Sequence, residues 1–585
     1  MPLEQHRHLL LPVLLGLTLM VPLAGAAELN PIASLIGGAV AVVILAIVVA
    51  SGRFITASLA DARTPIIAAL LLAVWLVVRS LFALNPAVSF VGVISQHSGS
   101  AMWLLGCGWF ALSALLCDRR SLRLSIGVVS VAGALFAAMG IVEAATTGGR
   151  AWGSAAGPFE NSLSLGTFLA IALLTAVAWS VSSRSAGVRL AGVACAALCA
   201  AGILAADSRT GMIGVAAGAV VATILHLAPR GNRTRRVLSI SLPLAAIVLA
   251  GVLAAAASGV LGAGGSDLVR TMGTDRDAIW RSAVSQIAAS PLIGSGPEQF
   301  SAWIRWTFDG ADIDFNGTYD PHSAILGLAL GGGLVAVLLW LLAAGTLVAA
   351  QIDVCRRAGR ARAPALLAAL PAVLITSALF SWLTPAAFFT VAALTGALLG
   401  AGSTAASASA PVRLERLTRP LAMALAVSCA ITGAVSLGAF GPERDYLRKE
   451  TLSSETYAEM YRSWPEPAFA STSLKVALEE GAARSPADFP DSWQADTRWH
   501  VDLALRGVFV SAQALNGDSE SWKRFESAIE RGIEADPASG LWATLASAQA
   551  HRLGRDTDTT RWTEKARGHR LDPATRGYLD DLANP

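Results

Sequence analysis

Charge is scarce in this chain. Of its 585 residues 15% are Asp, Glu, Lys or Arg and 54% are hydrophobic, a balance that excludes a water-soluble globule and belongs to membrane proteins. Lysine is almost missing: Lys449, Lys475, Lys523 and Lys565 are the four, and every other fixed cation is Arg. The net charge of +3 implies no nucleic-acid partner, because the arginines lie in short segments between apolar runs. Cysteine is equally thin. Cys107, Cys117, Cys195, Cys199, Cys355 and Cys429 form no C-x-x-C pair and mostly lie in or beside apolar runs, so they read as packing residues, with no disulfide framework and no zinc site. Asp309, Asp312 and Asp314 cluster without a recognisable ligand spacing, so no metal is expected. The two halves show none of the internal duplication that transporters usually carry.

What is present is a series of long apolar runs. A hydrocarbon core of ~30 Å needs about 20 apolar residues per helix. Candidate spans are 9–24, 31–50, 65–84, 101–117, 123–143, 162–182, 190–206, 211–228, 237–258, 323–350, 364–381, 384–402 and 420–440. The expected fold is therefore all-α and polytopic, with about 12 or 13 transmembrane helices. Residues 1–30 read as a signal-like segment or a first span: Arg7 precedes apolar 9–23, and Ala24-Gly25-Ala26 resembles a cleavage site. Residues 31–440 form the membrane domain.

The cations orient it. With a cytoplasmic start, inside loops hold Arg53 and Arg63; Arg119, Arg120 and Arg123; Arg184 and Arg189; Arg230, Arg233, Arg235 and Arg236; Arg356, Arg357, Arg360 and Arg362; and Arg413, Arg416 and Arg419. Outside connections hold Arg150, Arg209, Arg270, Arg276, Arg281 and Arg305. Every short inside loop obeys the positive-inside rule. Two parts lie beyond the spans, both expected outside. Residues 259–322 form a long loop with a helical stretch from Asp275 to Ala289, ended by Pro291, with Gly294 and Gly296 marking a turn. Residues 441–585 are polar and helix-patterned. There Ala528…Asp536-Pro537…Trp542…Leu545 recurs as Ala566…Asp572-Pro573…Tyr578, a spacing near that of tetratricopeptide repeats. This segment reads as a platform for a protein or glycan partner, or as an irregular helical cap with none.

Polar residues on the cation-poor side need a reason, and an anionic substrate is one. Arg209, in Asp207-Ser208-Arg209-Thr210-Gly211, lies in a near-loopless outer turn; it either snorkels to lipid phosphates or grips a substrate. Arg276, in Asp275-Arg276-Asp277-Ala278-Ile279-Trp280-Arg281, is either a charge on a surface helix or a fork for a phosphate, and Arg281 shares its helix. His322, beside Ser323 where the next span opens, is either structural or a general base. Asn161 begins a span as a helix cap, and Arg79 is an intramembrane cation near the outer end of its own. His97, Glu160, Asp207, Glu298, Asp312 and Asp314 are further outside-facing candidates.

In order, these pieces resemble the O-antigen ligase and O-antigen polymerase family of membrane glycosyltransferases. The carrying matches are Gly157-Pro158-Phe159-Glu160-Asn161, Ser208-Arg209, Arg276-Asp277-Ala278-Ile279-Trp280, Pro291-Leu292-Ile293-Gly294-Ser295-Gly296, His322-Ser323 and Gly331–Gly333. They cover roughly 150–345, and Ser323 stands where the family usually has Asn. The resemblance implies a GT-C-like enzyme that moves a glycan from a polyprenyl-diphosphate donor to an acceptor hydroxyl, with inversion and without cofactor or metal. It implies that Arg209 and Arg276 hold the diphosphate and that His322 activates the acceptor. Arg79, Asn161, Arg281 and Ser323 are expected to bind substrate. The acceptor is a glycan, lipid, protein or cell-wall carrier. A ligase and a polymerase share these residues; the outside helical segment favours a ligase. A transporter or a non-catalytic scaffold is the competing class.

Overall fold

The computed structural model describes residues 6–23, 29–51, 62–83, 85–94, 96–146, 155–159, 161–227, 237–238, 241, 276–300, 321–359, 361–402, 413–447, 452–464, 469, 519–535, 541–568 and 579. They fall into two compact units. The first is Met1–Asp277, Ile287–Glu298 and Asp320–Gly441; the second is Ala278–Gln286, Gln299–Tyr319 and Pro442–Pro585. Among the described residues every regular element is helical.

The first unit is a helical bundle. It runs through α1 (Arg7–Met20), α2 (Asn30–Ala50), α3 (Arg63–Leu81), short α4 (Pro86–Val91), α5 (Ser100–Leu116), α6 (Arg119–Thr146), α7 (Ser162–Ser182), α8 (Ala186–Ala205) and α9 (Arg209–Leu227). The chain then passes through α10 (Arg276–Ala289), of which Ala278–Gln286 belongs to the second unit, and the first unit continues with α11 (Ala324–Arg357), α12 (Arg362–Ala368), α13 (Leu370–Ala378), α14 (Pro385–Gly402) and, as far as Gly441, α15 (Arg413–Leu447). Apolar runs become helices because lipid offers the backbone no hydrogen-bond partner. Among the described residues nine helices are long and apolar enough to cross a membrane, and His8–Leu23, Ser100–Leu116 and Arg362–Ala378 are shorter apolar ones. Small residues let the helices approach closely: a Cβ on Gly192 of α8 would come within 3.0 Å of the Ala176 carbonyl of α7.

Two expected spans differ in detail. The helix that begins at 323–350 extends to Arg357 and is broken at Gly333, whose backbone (φ 65°, ψ −164°) is open to glycine alone. The span at 364–381 is two helices that meet at Ala369, because Pro371 has no N–H to continue a helical ladder. Nearly all of the span expected at 237–258 lies outside the described residues, as do 259–275 and 301–320 of the long loop.

The second unit contains α16 (Ser454–Ser463), α17 (Ser519–Ala535), α18 (Leu541–Arg552) and α19 (Asp556–Arg567). Trp522, Trp542 and Trp562 are each fully buried. Trp562 Nε1 donates to Glu526 Oε1 at 3.2 Å, and the Ser547 and Thr563 hydroxyls meet at 2.5 Å, so α17, α18 and α19 share one core. Arg555 and Lys565 cover tryptophan faces at 4.9 and 4.8 Å. Asp536, Pro537, Asp572, Pro573 and Tyr578, which carry the repeat pattern, lie outside the described residues.

Candidate active site at one end of the bundle

Local contacts fix which helix ends lie together. The Ser80 and Ser100 hydroxyls meet at 2.8 Å, joining the end of α3 to the start of α5. Ala324 N donates to Ser381 O at 3.1 Å, joining the start of α11 to the segment after α13. Gly214 of α9 packs on Val373 and Ser377, which sets the start of α9 beside the end of α13. A Cβ on Gly211 would sit 2.8 Å from the Gly166 carbonyl, which sets the start of α9 against that of α7. Arg79, Asn161, Arg209 and His322 therefore occupy the same end of the bundle.

This end is built around a glycine turn docked into a broken helix. The break at Gly333 frees carbonyls and amides of α11 that an intact helix would pair internally. Residues 291–296 take them up. Ser295 N donates to Leu330 O at 2.8 Å, Gly296 N to Gly331 O at 3.0 Å, and Leu334 N returns a bond to Pro291 O at 2.8 Å. Gly294 and Gly296 have φ of 69° and 104°, and a Cβ on Gly296 would lie 2.6 Å from that of Ala83. Glycine is required here both for its backbone angle and for the close approach. Two α3 side chains brace the junction: Trp75 Nε1 donates to Gly332 O at 2.9 Å and Arg79 Nη2 to Gly294 O at 2.8 Å. Arg79 is thus partly committed to the scaffold, while its shielded Nε has no hydrogen-bond partner among the described residues.

The other expected residues are placed as follows. Asn161 caps α7, its Oδ1 accepting from Ser164 N at 2.8 Å. Buried Ser323 caps α11 through Leu326 N at 3.5 Å. Arg209 is exposed as the first residue of α9, and Ser208 Oγ beside it accepts from Gly211 N at 3.2 Å. The His322 ring packs at 5.5 Å from that of Trp382. Arg276 and Arg281 lie on the backbone of α10, and their side chains fall outside the described residues.

Backbone strain marks the same end. Four non-glycine residues have left-handed φ among the described residues: His97 (51°), Asp207 (45°), Glu298 (57°) and His322 (47°). Each such placement costs about 1–2 kcal/mol, and strain of this kind gathers at functional sites. Nothing in the local sequence announces it, since Asp207 and His322 sit in turns that a right-handed residue would also close.

Glu298 joins the group through its carboxyl. Ser98 Oγ donates to Glu298 Oε1 at 2.8 Å. The residue is partly exposed, yet its Oε2 is shielded from solvent and has no hydrogen-bond partner among the described residues. Burial pushes the Glu298 carboxyl up from its ordinary range, and hydrogen bonds from Ser98 and the Val93 backbone and the charge of His97 oppose the shift in part. Glu298, Ser98, Pro321, Ser323 and Trp382 help to line a cavity of about 40 Å³. A larger cavity of about 380 Å³, apolar apart from Gln351, Thr376 and Thr395, extends between α3, α5, α9 and α11 to α14. Trp103 lines both. Among the described residues no three His, Cys, Asp or Glu side chains gather to hold a metal ion.

Fold and site together define a multi-pass helical membrane protein whose strained polar loops lie at one end of its bundle. Residues 194–341 match the family model described as O-antigen ligase, and that match supports membership of the O-antigen ligase and polymerase family. The matched segment contains Ser208-Arg209, Arg276, the Pro291–Gly296 turn, His322 and the α11 break; Arg79 and Asn161 lie before it. The class of activity that this supports is that of a membrane glycosyltransferase acting on a lipid-linked glycan. No curated protein matches the chain.

Proposed function

We propose that the protein is an O-antigen ligase-type glycosyltransferase. It moves a glycan from a polyprenyl-diphosphate donor to an acceptor hydroxyl at the outer membrane face. What supports this reading is that Arg209, His322 and the left-handed loop residues lie at the same end of the bundle. The acceptor oxygen attacks the anomeric carbon as the carbon–oxygen bond to the diphosphate breaks. The acceptor proton passes to neutral His322, a general-base role worth about 10²–10⁴ in rate. Arg209 and Arg276 hold the leaving diphosphate, and guanidinium suits the task because it stays charged and binds phosphate through two parallel hydrogen bonds. The apolar cavity of about 380 Å³ supports a lipid-tailed donor. Arg79, Asn161, Arg281 and Ser323 position the sugar and phosphate groups. The helical segment 441–585 holds the glycan or a protein partner.

The test is transfer by purified protein supplied with host lipid-linked glycan. His322→Gln and Arg276→Lys each abolish product with expression and insertion intact. Cells without the protein accumulate full-length lipid-linked chains; single repeats would assign a polymerase instead, and unchanged pools would reject both.

A further inference from the structure

The small cavity beside His322 is a separate feature of the site, and Glu298 is its ionisable group. We infer that Glu298 forms a subsite for one hydroxyl or hydroxymethyl arm of the acceptor sugar. The inference rests on the transfer reading above and assigns a place to the sugar that bears the attacking oxygen.

Three observations point there. A buried carboxyl oxygen without a partner is costly, and Glu298 Oε2 is one, on a residue whose φ of 57° adds strain. The carboxyl already takes Ser98 through Oε1 and a bond from the Val93 backbone, and Oε2 still lacks a partner of good geometry. The cavity adjoins the proposed base on two sides: Pro321 and Ser323 flank His322 in the chain, and Trp382 packs on its ring. The volume then sets the occupant. About 10–15 Å³ is needed per water-sized group, so about 40 Å³ admits a hydroxymethyl arm and rejects a whole pyranose ring. Trp103 and Trp382 in the wall offer apolar faces to the sugar's C–H groups, and the carboxyl offers a hydrogen bond to its hydroxyl.

The wall contains its own control. Gly327 lies on α11 and lines the cavity, and a Cβ there would meet only the Pro321 ring at 3.9 Å, an ordinary contact. Gly327→Ala therefore narrows the cavity without strain and improves helix propensity. Glu298→Met removes the carboxyl in nearly the same shape, and Ser98→Ala removes only the strut. Transfer is measured with purified full-length protein, host lipid-linked glycan at saturation and extracted host envelope glycan as the titrated acceptor. Glu298→Met and Gly327→Ala are each expected to raise the acceptor KM about tenfold or more, and Ser98→Ala, which keeps the carboxyl but also lines the cavity, to raise it by less than Glu298→Met does. Equal effects of Glu298→Met and Ser98→Ala would reduce Glu298 to a strut and overturn the subsite. So would a Gly327→Ala protein with unchanged KM, which folds even if Glu298→Met does not. His322→Gln in the same assay separates the two claims. If it is inactive while Gly327→Ala is normal, the subsite alone falls; if it transfers normally, the base assignment falls whatever the KM values show.

Discussion

Two regions of this molecule use the left-handed backbone differently. In the C-terminal helices the described residue with positive φ is Gly554, between α18 and α19, where glycine ends a helix at no steric cost. At the polar end of the bundle the same conformation is imposed on His97, Asp207, Glu298 and His322. One region is built for stability, with three buried tryptophans and closely tied helices. The other keeps strain; buried polar atoms without hydrogen-bond partners occur in both, Arg79 Nε and Glu298 Oε2 here and Trp522 Nε1 and Trp542 Nε1 there. A protein retains such costs where a side chain must point somewhere that relaxed geometry would not allow.

Substitutions in the two regions should therefore fail in different ways, which is how the contrast is best broken. His322→Gln is expected to cost at least 100-fold in transfer with the melting temperature unchanged. Trp542→Ala should do the reverse, destabilising the C-terminal helices by about 3–5 kcal/mol, read as rapid proteolysis of 519–568. If His322→Gln unfolds the bundle instead, the strained end is structural. Gly333→Ala tests the scaffold between these extremes. Its Cβ would collide with the Leu292 backbone at φ 65°, so undocking the 291–296 turn should cost about 1–3 kcal/mol and lower transfer as well. A variant as stable and active as wild type would mean that the docked turn does not organise the site.

Glu298 adds a pH arm to the comparison. Its carboxyl is raised in the fold, so the neutral form is the one that folding favours. That stability is present below the unfolded glutamate pKa and is lost as pH rises through the higher folded value. Melting temperatures should accordingly fall over that interval in wild type and stay flatter in Glu298→Gln. Identical profiles would show that the buried carboxyl does not titrate with folding.

How much of this was legible beforehand depended on range. Hydropathy alone placed most of the spans that fall among the described residues, because a helix in lipid satisfies its backbone within itself; α2 and α7 match their expected bounds to within a residue. Asn161 was legible as a cap for the same reason, its partner Ser164 lying three residues away. The Gly331–Gly333 run entered only as a family match, and that it receives the 291–296 turn depends on pairing across some forty residues, which no local period encodes. Arg79 shows the limit well. An intramembrane arginine invites a substrate, and its bond to Gly294 can be seen only once two distant segments are folded together. The same holds for the Glu298 cavity, whose walls come from five separate stretches of chain.

The smallest expected effect is also the most direct test of the strain comparison. Asp207→Gly removes a Cβ where φ is 45°, which relieves about 1–2 kcal/mol in the fold. Glycine's extra freedom in the unfolded chain returns about 0.4–1 kcal/mol of that. Stability should thus hold or rise slightly with transfer little changed, because the bond from Arg209 N to Asp207 O that starts α9 is made by the backbone. Gly554→Ala runs the other way: a Cβ there meets nothing within 4 Å, so its cost is the φ of 65° alone, about 1 kcal/mol, and transfer per folded molecule should be unaffected. If Asp207→Gly destabilises as Gly554→Ala does, the left-handed turn before Arg209 is supported by its own side chain, and strain ceases to mark the site.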